Sequence, residues 1–352
     1  MNTKLKWLRE KMKMLDLQGM IISNPINVRY LTNINAEGLL LITRKENIFL
    51  TDARYVEEVN ATLTISDEII VHEFKDFSID EYENFFMFCE NVGFEENFVT
   101  YAAYKKYMHT YKINNFIEAE VLIDKLRMIK DSEEIENLKK ACKITDECFD
   151  FLIEYIKPGM TEKQIATKIE QYYRENADGI SFSPIVASGE NSSKPHAMPS
   201  DRKIQEKDII TIDMGCKING YCSDETRTIF VGEPTEDQKR IYNLVLKNQK
   251  LSLSEMKDGA SIKDITKIVT SDFELNDYSL VHSLGHGVGL EIHEPPFIRD
   301  ANDNTLKERM VVTNEPGIYI AGYFGVRIED TVLITKEEPE ILTKTDKDFI
   351  II

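Results

Sequence analysis

The chain lacks a pairing framework for its cysteines. Five are present, an odd number, and none is spaced as CxxC. That excludes a disulfide-stapled scaffold and fits a reducing, cytoplasmic setting. No run approaches the roughly 20 apolar residues of a membrane span. The opening MNTKLKWLREKMKMLDLQG spreads charge among its apolar positions, as an amphipathic helix does and a signal peptide does not. Basic residues are few, 43 against 61 acidic for a net charge of −18, so a nucleic-acid backbone would find no basic face. Most of the acid needs no role beyond solubility, and only its placement can mark exceptions. Histidine is rarer still, with six in 352 residues. Yet His282, His286 and His293 crowd into VHSLGHGVGLEIHEPP, residues 281–296, between Gly285, Gly287 and Gly289.

A chain of this length points to two domains. After the first helix come short apolar runs broken by Asn and Pro, then two strand-like segments around a polar turn at Arg44 to Asn47. Further helix–strand alternation continues to about residue 122, as in a small α/β domain. Its isolated His72 and His109 read as surface or packing residues, and no internal repeat is visible. From IDKLRMIKDSEEIENLKKACKITDECFDF the pattern changes. Asp131 or Ser132 caps a helix with Ile135, Leu138, Ala141, Cys142 and Thr145 on one face, Pro158-Gly159 ends it, and Thr161 begins another. Helices near 236–257 and 261–272 and several strands follow. We expect domains at 1–122 and 123–352, the second of α+β class with helices and sheet segregated.

The histidines find partners in two acidic hairpins. In IITIDMGCKINGYCSDETRTIF, residues 209–230, Asn219-Gly220 signals a type I′ turn. Opposed residues then sum to 439, so Asp213 faces Thr226 and Asp224 is a diagonal neighbour on the same face, at roughly 7–8 Å. Either aspartate alone could simply end a strand or cap a turn. Together on a partly buried face they must take up a proton or bind a cation. In VVTNEPGIYI and GVRIEDTVLI, Glu315 and Glu329 interrupt runs that read as strands, and a turn centred on Gly322 sets them across from one another. These could be two edge-strand surface charges, but the coincidence would have to occur twice. Four carboxylates would balance two divalent cations, with His286 as the one neutral imidazole and its flanking glycines allowing close backbone approach. Oxygen-rich ligation with one nitrogen suits Mn²⁺, Co²⁺ or Zn²⁺. Two rival motifs fail: Leu290 stands where GxGxxG needs its third glycine, and Phe297 where HExxH needs its second histidine.

IDMG, SDETRT, LGHGVGLEIHE, NEPGIY and GVRIED, in that order, resemble the signatures of the pita-bread metallopeptidases. These include prolidase, aminopeptidase P and methionine aminopeptidase, with creatinase as a metal-free relative. The resemblance spans 123–352, and NPINVRYLTN with TDARY is similar to the creatinase-type N-terminal α/β domain of the prolidase and aminopeptidase P branch. It implies that Asp213, Asp224, His286, Glu315 and Glu329 hold two divalent ions, Mn²⁺ foremost. It further implies that His196 contacts substrate near the scissile bond, that His293 stabilises the tetrahedral intermediate, that His282 lines the pocket wall and that Arg327 steadies the site. Tyr221 reads as packing. The implied reaction is hydrolysis of X–Pro bonds, in dipeptides or at N-termini of peptides with proline second, by a hydroxide generated between the metals. Glu315 would carry the proton to the leaving nitrogen, and a homodimer is the family expectation. A metal-free creatinase-like hydrolase and an inactive binding module are the alternatives.

Overall fold

A computed structural model of the chain describes residues 3–63 and 68–352. These form two compact units, Met1–Arg127 and Met128–Ile352. The division falls at the end of a helix, Glu120–Met128, that contains the expected boundary near residue 123.

The first unit carries α1 (Thr3–Met12), β1 (Gly19–Ile22), α2 (Pro25–Thr32), β2 (Gly38–Thr43) and β3 (Asn47–Thr51). It continues with α3 (Val56–Thr62), β4 (Ile69–Glu73), α4 (Ile79–Asn84), β5 (Asn91–Phe94), α5 (Tyr101–Thr110), β6 (Asn115–Glu118) and α6 (Glu120–Met128). Its strands form one mixed sheet in the order β4-β3-β2-β1-β5-β6. The polar turn at 44–46 joins antiparallel β2 and β3. Where the sequence showed only broken apolar runs, α2 forms: the Asn24 side chain caps it, and Pro25 sits at its first turn, where a missing N–H costs nothing. His109 is exposed, and His72 lies half-buried against Phe77.

The second unit begins with α7 (Ser132–Tyr155), capped by Asp131 in a reciprocal box with Glu134, and α8 (Glu162–Asn176), capped likewise by Thr161 and Gln164. Then come β7 (Gly179–Ile180), β8 (Ile185–Ser188), β9 (Ile209–Met214), β10 (Cys216–Ile218), β11 (Tyr221–Cys222) and β12 (Glu225–Phe230). Helices α9 (Glu236–Ser254) and α10 (Ile262–Leu275) precede β13 (Gly285–Gly287), β14 (Glu294–Ile298), β15 (Val311–Asn314), β16 (Gly317–Ile320), β17 (Phe324–Arg327), β18 (Asp330–Leu333) and β19 (Glu340–Ile341). One core lies under α7 and α8, with Phe149, Ile165, Ile210, Ile212 and Ile229. The other lies under α9 and α10, with Val245, Val269, Val312, Ile328 and Val332.

A repeat that the residues alone conceal appears here. Gly159 and Gly259 both have positive φ before a capped helix. The Gly159 amide donates to Ile204 and Ile204 donates to Met160; Gly259 donates to Leu306 and Leu306 to Ala260 in the same pattern. Bridges Thr161–Lys203 and Ser261–Thr305 complete the match. Backbone geometry is retained while apolar side chains interchange, so the two segments share few residues.

Candidate metal centre

Two hairpins deliver the acids, in the registers set by their turns. Asn219 and Gly220 both have positive φ. Asp213 faces Thr226 in the β9–β12 pair, and Ile218 faces Tyr221 in β10–β11, so one register runs through both. In the second hairpin Gly317 pairs Arg327 across β16–β17, and Asn314 pairs Asp330 across β15–β18, again one register around Gly322.

The glutamates do not sit inside continuous strands, as the β-branched runs suggested. Glu315 lies in the two-residue gap between β15 and β16, and Glu329 in the gap between β17 and β18. Each gap is where the backbone changes partner: the Glu315 amide donates to Leu284 O, and the Glu329 amide to Thr226 O on β12. Pro316, next to Glu315, has no N–H to give a ladder. Asp224 occupies a similar gap between β11 and β12. The breaks turn three carboxylates inward.

Asp213, Asp224, His286, Glu315, Glu329, His196, His282, His293 and Arg327 all line one pocket of about 270 Å³, with Phe182, Ile185, Ile292 and Phe297 as apolar wall. Carboxylate oxygens of Asp224 and Glu329 and a ring nitrogen of His286 lie within 4.8 Å of one another. His286 Nε2 is 3.5 Å from Asp224 Oδ2 and 3.4 Å from Glu315 Oε1. Its Nδ1 is 3.1 Å from the Gly287 carbonyl, which can only accept, so in the neutral ring Nδ1 donates and Nε2 turns a lone pair on the carboxylates. Acceptors facing acceptors repel unless something positive lies among them. The neighbouring glycines are needed for strand crossing: a Cβ on Gly285 would stand 2.1 Å from Thr313 O, and one on Gly287 2.4 Å from Pro295 O.

Burial, then the charges of neighbouring carboxylates, pushes Asp224 and Glu329 well above the usual carboxylate range. Glu315 is raised by burial too, against the opposing pull of His282 and Arg327. Desolvation holds His282, His286 and His293 below the ordinary imidazole value. Arg327 Nη2 pairs with Asp213 Oδ2 at 2.5 Å, while Asp213 Oδ1 is buried without a hydrogen-bond partner. An orphaned oxygen, an imidazole lone pair aimed at carboxylates, and carboxylates raised by burial and by one another's charge fit a cation-binding donor set. His293 and His196 are more exposed, at the mouth; the His293 ring meets that of His286 edge to face at 4.4 Å.

Sequence reasoning missed the residues that hold these groups. Tyr319 Oη accepts from Arg327 Nη1 at 2.9 Å and stands 3.0 Å from His282 Nε2. Since His282 Nδ1 lies 2.7 Å from the Ser283 carbonyl and must donate to it, Tyr319 donates to Nε2. Thr226 Oγ1 donates to Glu329 Oε2 at 2.6 Å and accepts from Arg327 Nε, and Thr313 Oγ1 joins the His286 amide to Glu315. Parity could have found two of them, because Thr226 faces Asp213 and Tyr319 is diagonal to Arg327 in register. Tyr221 packs away from the pocket and donates to Glu134.

The model of metallopeptidase family M24 matches residues 136–336, and that of the creatinase/prolidase N-terminal domain matches residues 4–129. The chain is 37% identical to an Xaa-Pro dipeptidase of Pyrococcus furiosus, over 99% of this chain and 100% of that one. Among solved structures, an Xaa-Pro dipeptidase from Bacillus anthracis superposes with TM-score 0.93 at 36% identity, covering 99% of each chain. An X-Pro aminopeptidase from Thermotoga maritima gives TM-score 0.88 at 31% identity, covering 97% of this chain and 100% of that one.

Proposed function

Because the chain belongs to metallopeptidase family M24, we propose that its pocket holds two divalent cations and hydrolyses X–Pro bonds, in dipeptides or at the N-termini of peptides. One observation carries the reading: Asp224, His286 and Glu329 aim acceptor atoms at one another within 4.8 Å, an arrangement that a bound cation relieves without requiring the carboxylates to stay protonated. Asp213 and Glu315 complete the donor set, four negative charges against four positive. Mn²⁺ is the first choice, with Co²⁺ and Zn²⁺ compatible with the same donors. The bound ions would supply Lewis acidity, polarising the carbonyl oxygen and lowering the pKa of water.

The chain's own residues do the rest. Glu315, which lines the pocket beside His286, takes the proton of the attacking water and passes it to the leaving nitrogen. His293 donates to the developing oxyanion, and His196 holds the substrate beside the scissile bond. Arg327, fixed by Asp213, Thr226 and Tyr319, keeps its charge where substrate and carboxylates meet, and His282 supports it through Tyr319. The proline amide has no N–H to grip, and Phe182, Ile185, Ile292 and Phe297 offer its ring an apolar wall. A cytoplasmic homodimer belongs to the same reading, supported by five buried cysteines outside any disulfide and by the resemblance.

The test is elemental analysis of purified protein, followed by hydrolysis of an X–Pro dipeptide and an X–Pro tripeptide before and after chelation. Expected are bound metal, activity lost on chelation by at least about a hundredfold, more than the 10–100-fold typical of losing an outer-shell partner, and recovery with Mn²⁺. Undiminished hydrolysis after complete chelation would overturn the reading. The two peptides separate dipeptidase from aminopeptidase.

A further inference from the structure

His196 reaches the pocket on a segment that no long strand carries. From Ser188, the last residue of β8, to Ser200 the chain runs through a short helical turn at Gly189–Ser193 and then irregular backbone. Both ends of this loop meet on one carboxylate. Glu162, the first residue of α8, is fully buried. Its Oε1 accepts from the Ser188 amide and hydroxyl, each at 2.7 Å, and from Asn191 Nδ2 at 3.2 Å. Its Oε2 accepts from the Ser200 hydroxyl at 2.6 Å, the Ser200 amide at 3.0 Å and Asn191 Nδ2 at 3.1 Å.

All five of these donor groups are uncharged, and every one belongs to the loop or its two ends. A carboxylate retained only for the helix would answer the helix's own first amides; here the Thr161 side chain does that. Burial works against the Glu162 charge, yet the serine and amide donors outweigh it and keep it below the ordinary range. On its other side the loop is fixed to the hairpin that carries Arg327: Ser192 Oγ accepts from the Gly325 amide at 2.9 Å, and the Pro195 carbonyl accepts from Arg327 Nη1 at 3.1 Å. Pro195 and His196 lie between the attachments at Ser192 and Ser200 and line the pocket.

We propose that Glu162 is a positioning residue for substrate binding, which joins Ser188 to Ser200 and thereby sets how far His196 reaches into the pocket. This rests on reading the pocket as a peptide site. Glu162→Gln keeps the shape but turns one acceptor into a donor facing donors, and Glu162→Asp keeps the charge but spans only one end of the loop. In both, KM for an X–Pro dipeptide rises about tenfold, the scale of one charge-assisted hydrogen bond, with a smaller change in kcat and unchanged metal content. Amides of 189–200 exchange faster with solvent, while the rest of the chain does not. Combined with His196→Ala, the double variant loses no more kcat/KM than the worse single one, because both remove the same contact.

Multiplicative losses, a fall in kcat with KM unchanged, or unaltered exchange in the loop would each overturn the proposal. Should the unsubstituted protein fail to cleave X–Pro peptides, the functional reading falls separately, and loop exchange alone then decides whether Glu162 is the anchor.

Discussion

Residues adjacent in sequence face two different electrostatic worlds. On the pocket side, Asp224 and Glu329 join Asp213 and Glu315, and among the lining residues one guanidinium, Arg327, faces all four. On the other side of the same strands, Glu225 and Asp330 pair with Arg227 at 2.9 and 2.8 Å, Lys347 adds a second ion pair to Asp330, and Asp146 lies nearby. There Gln249 also donates to Asp330 at 2.6 Å, and Arg227 donates to the Glu329 carbonyl. Three carboxylates share two cations behind the strands; four share one in front. Burial is similar, so the contrast lies in what neutralises the charge: side chains behind, and in front a place for something the chain does not itself provide.

The largest effect that would break the contrast is on stability. Asp330→Asn leaves buried Arg227 and half-buried Lys347 with less compensation, and is expected to cost about 3–5 kcal/mol, as removal of one partner from a buried pair does. Glu329→Gln in metal-free protein relieves repulsion and should leave stability unchanged or raised, although metal content falls. Denaturant unfolding of the two metal-free variants measures this. Equal losses would show that both sides are held by pairing and would remove the distinction.

The pH dependence sharpens it. Asp224 and Glu329 are raised when folded, so above about pH 4, where unfolded carboxylates have released their protons, the folded state binds more protons than the unfolded one. Metal-free stability therefore falls as pH rises from there through the raised folded values. Glu225, pushed up to about 7 mainly by burial, adds a decline of the same sign. Asp330 is lowered, burial being outweighed by Arg227 and Lys347, so its contribution is complete above about pH 4 and disappears only as pH falls through its folded value. Added Mn²⁺ should flatten the decline caused by the pocket. A slope unaffected by Mn²⁺ would assign it to the rear face.

The smallest effect concerns Arg327. Tyr319→Phe removes one hydroxyl bonded to Arg327 and His282, with an expected loss of about 1 kcal/mol in transition-state stabilisation, the net worth of one hydrogen bond. Measured as kcat/KM, that is several-fold. No change would show that Asp213 and Thr226 alone hold the guanidinium.

The pairing of the acids was legible because turn chemistry and two-residue periodicity are local: Asn219-Gly220 and Gly322 set the registers that the hairpins adopt. The helix start at Thr161 was legible for the same reason, and the other was narrowed to Asp131 or Ser132, of which Asp131 caps. The strand breaks at Glu315 and Glu329 were not, because a β-branched run looks the same whether its backbone keeps one partner or exchanges it for Leu284 and Thr226. The repeat of α7–α8 in α9–α10 was hidden by interchangeable apolar residues. Helix α2 is short and its apolar residues form no helical stripe long enough to read, so only the Asn24-Pro25 start marks it. Thr226 and Tyr319 look ordinary alone and become meaningful only beside the charged groups they touch.

One exposed turn has an unexpected consequence for how such a chain can diverge. Surface turns ordinarily accept insertions and deletions freely. Asn219 is exposed and five positions from Asp224, yet gaining or losing a single residue there would turn over the segment that follows, carrying Asp224 to the rear face and bringing Glu225 and Arg227 round towards the pocket. The length of that turn is therefore as constrained as the identity of any acid in the pocket, and descendants of this sequence should vary its residues while preserving its count.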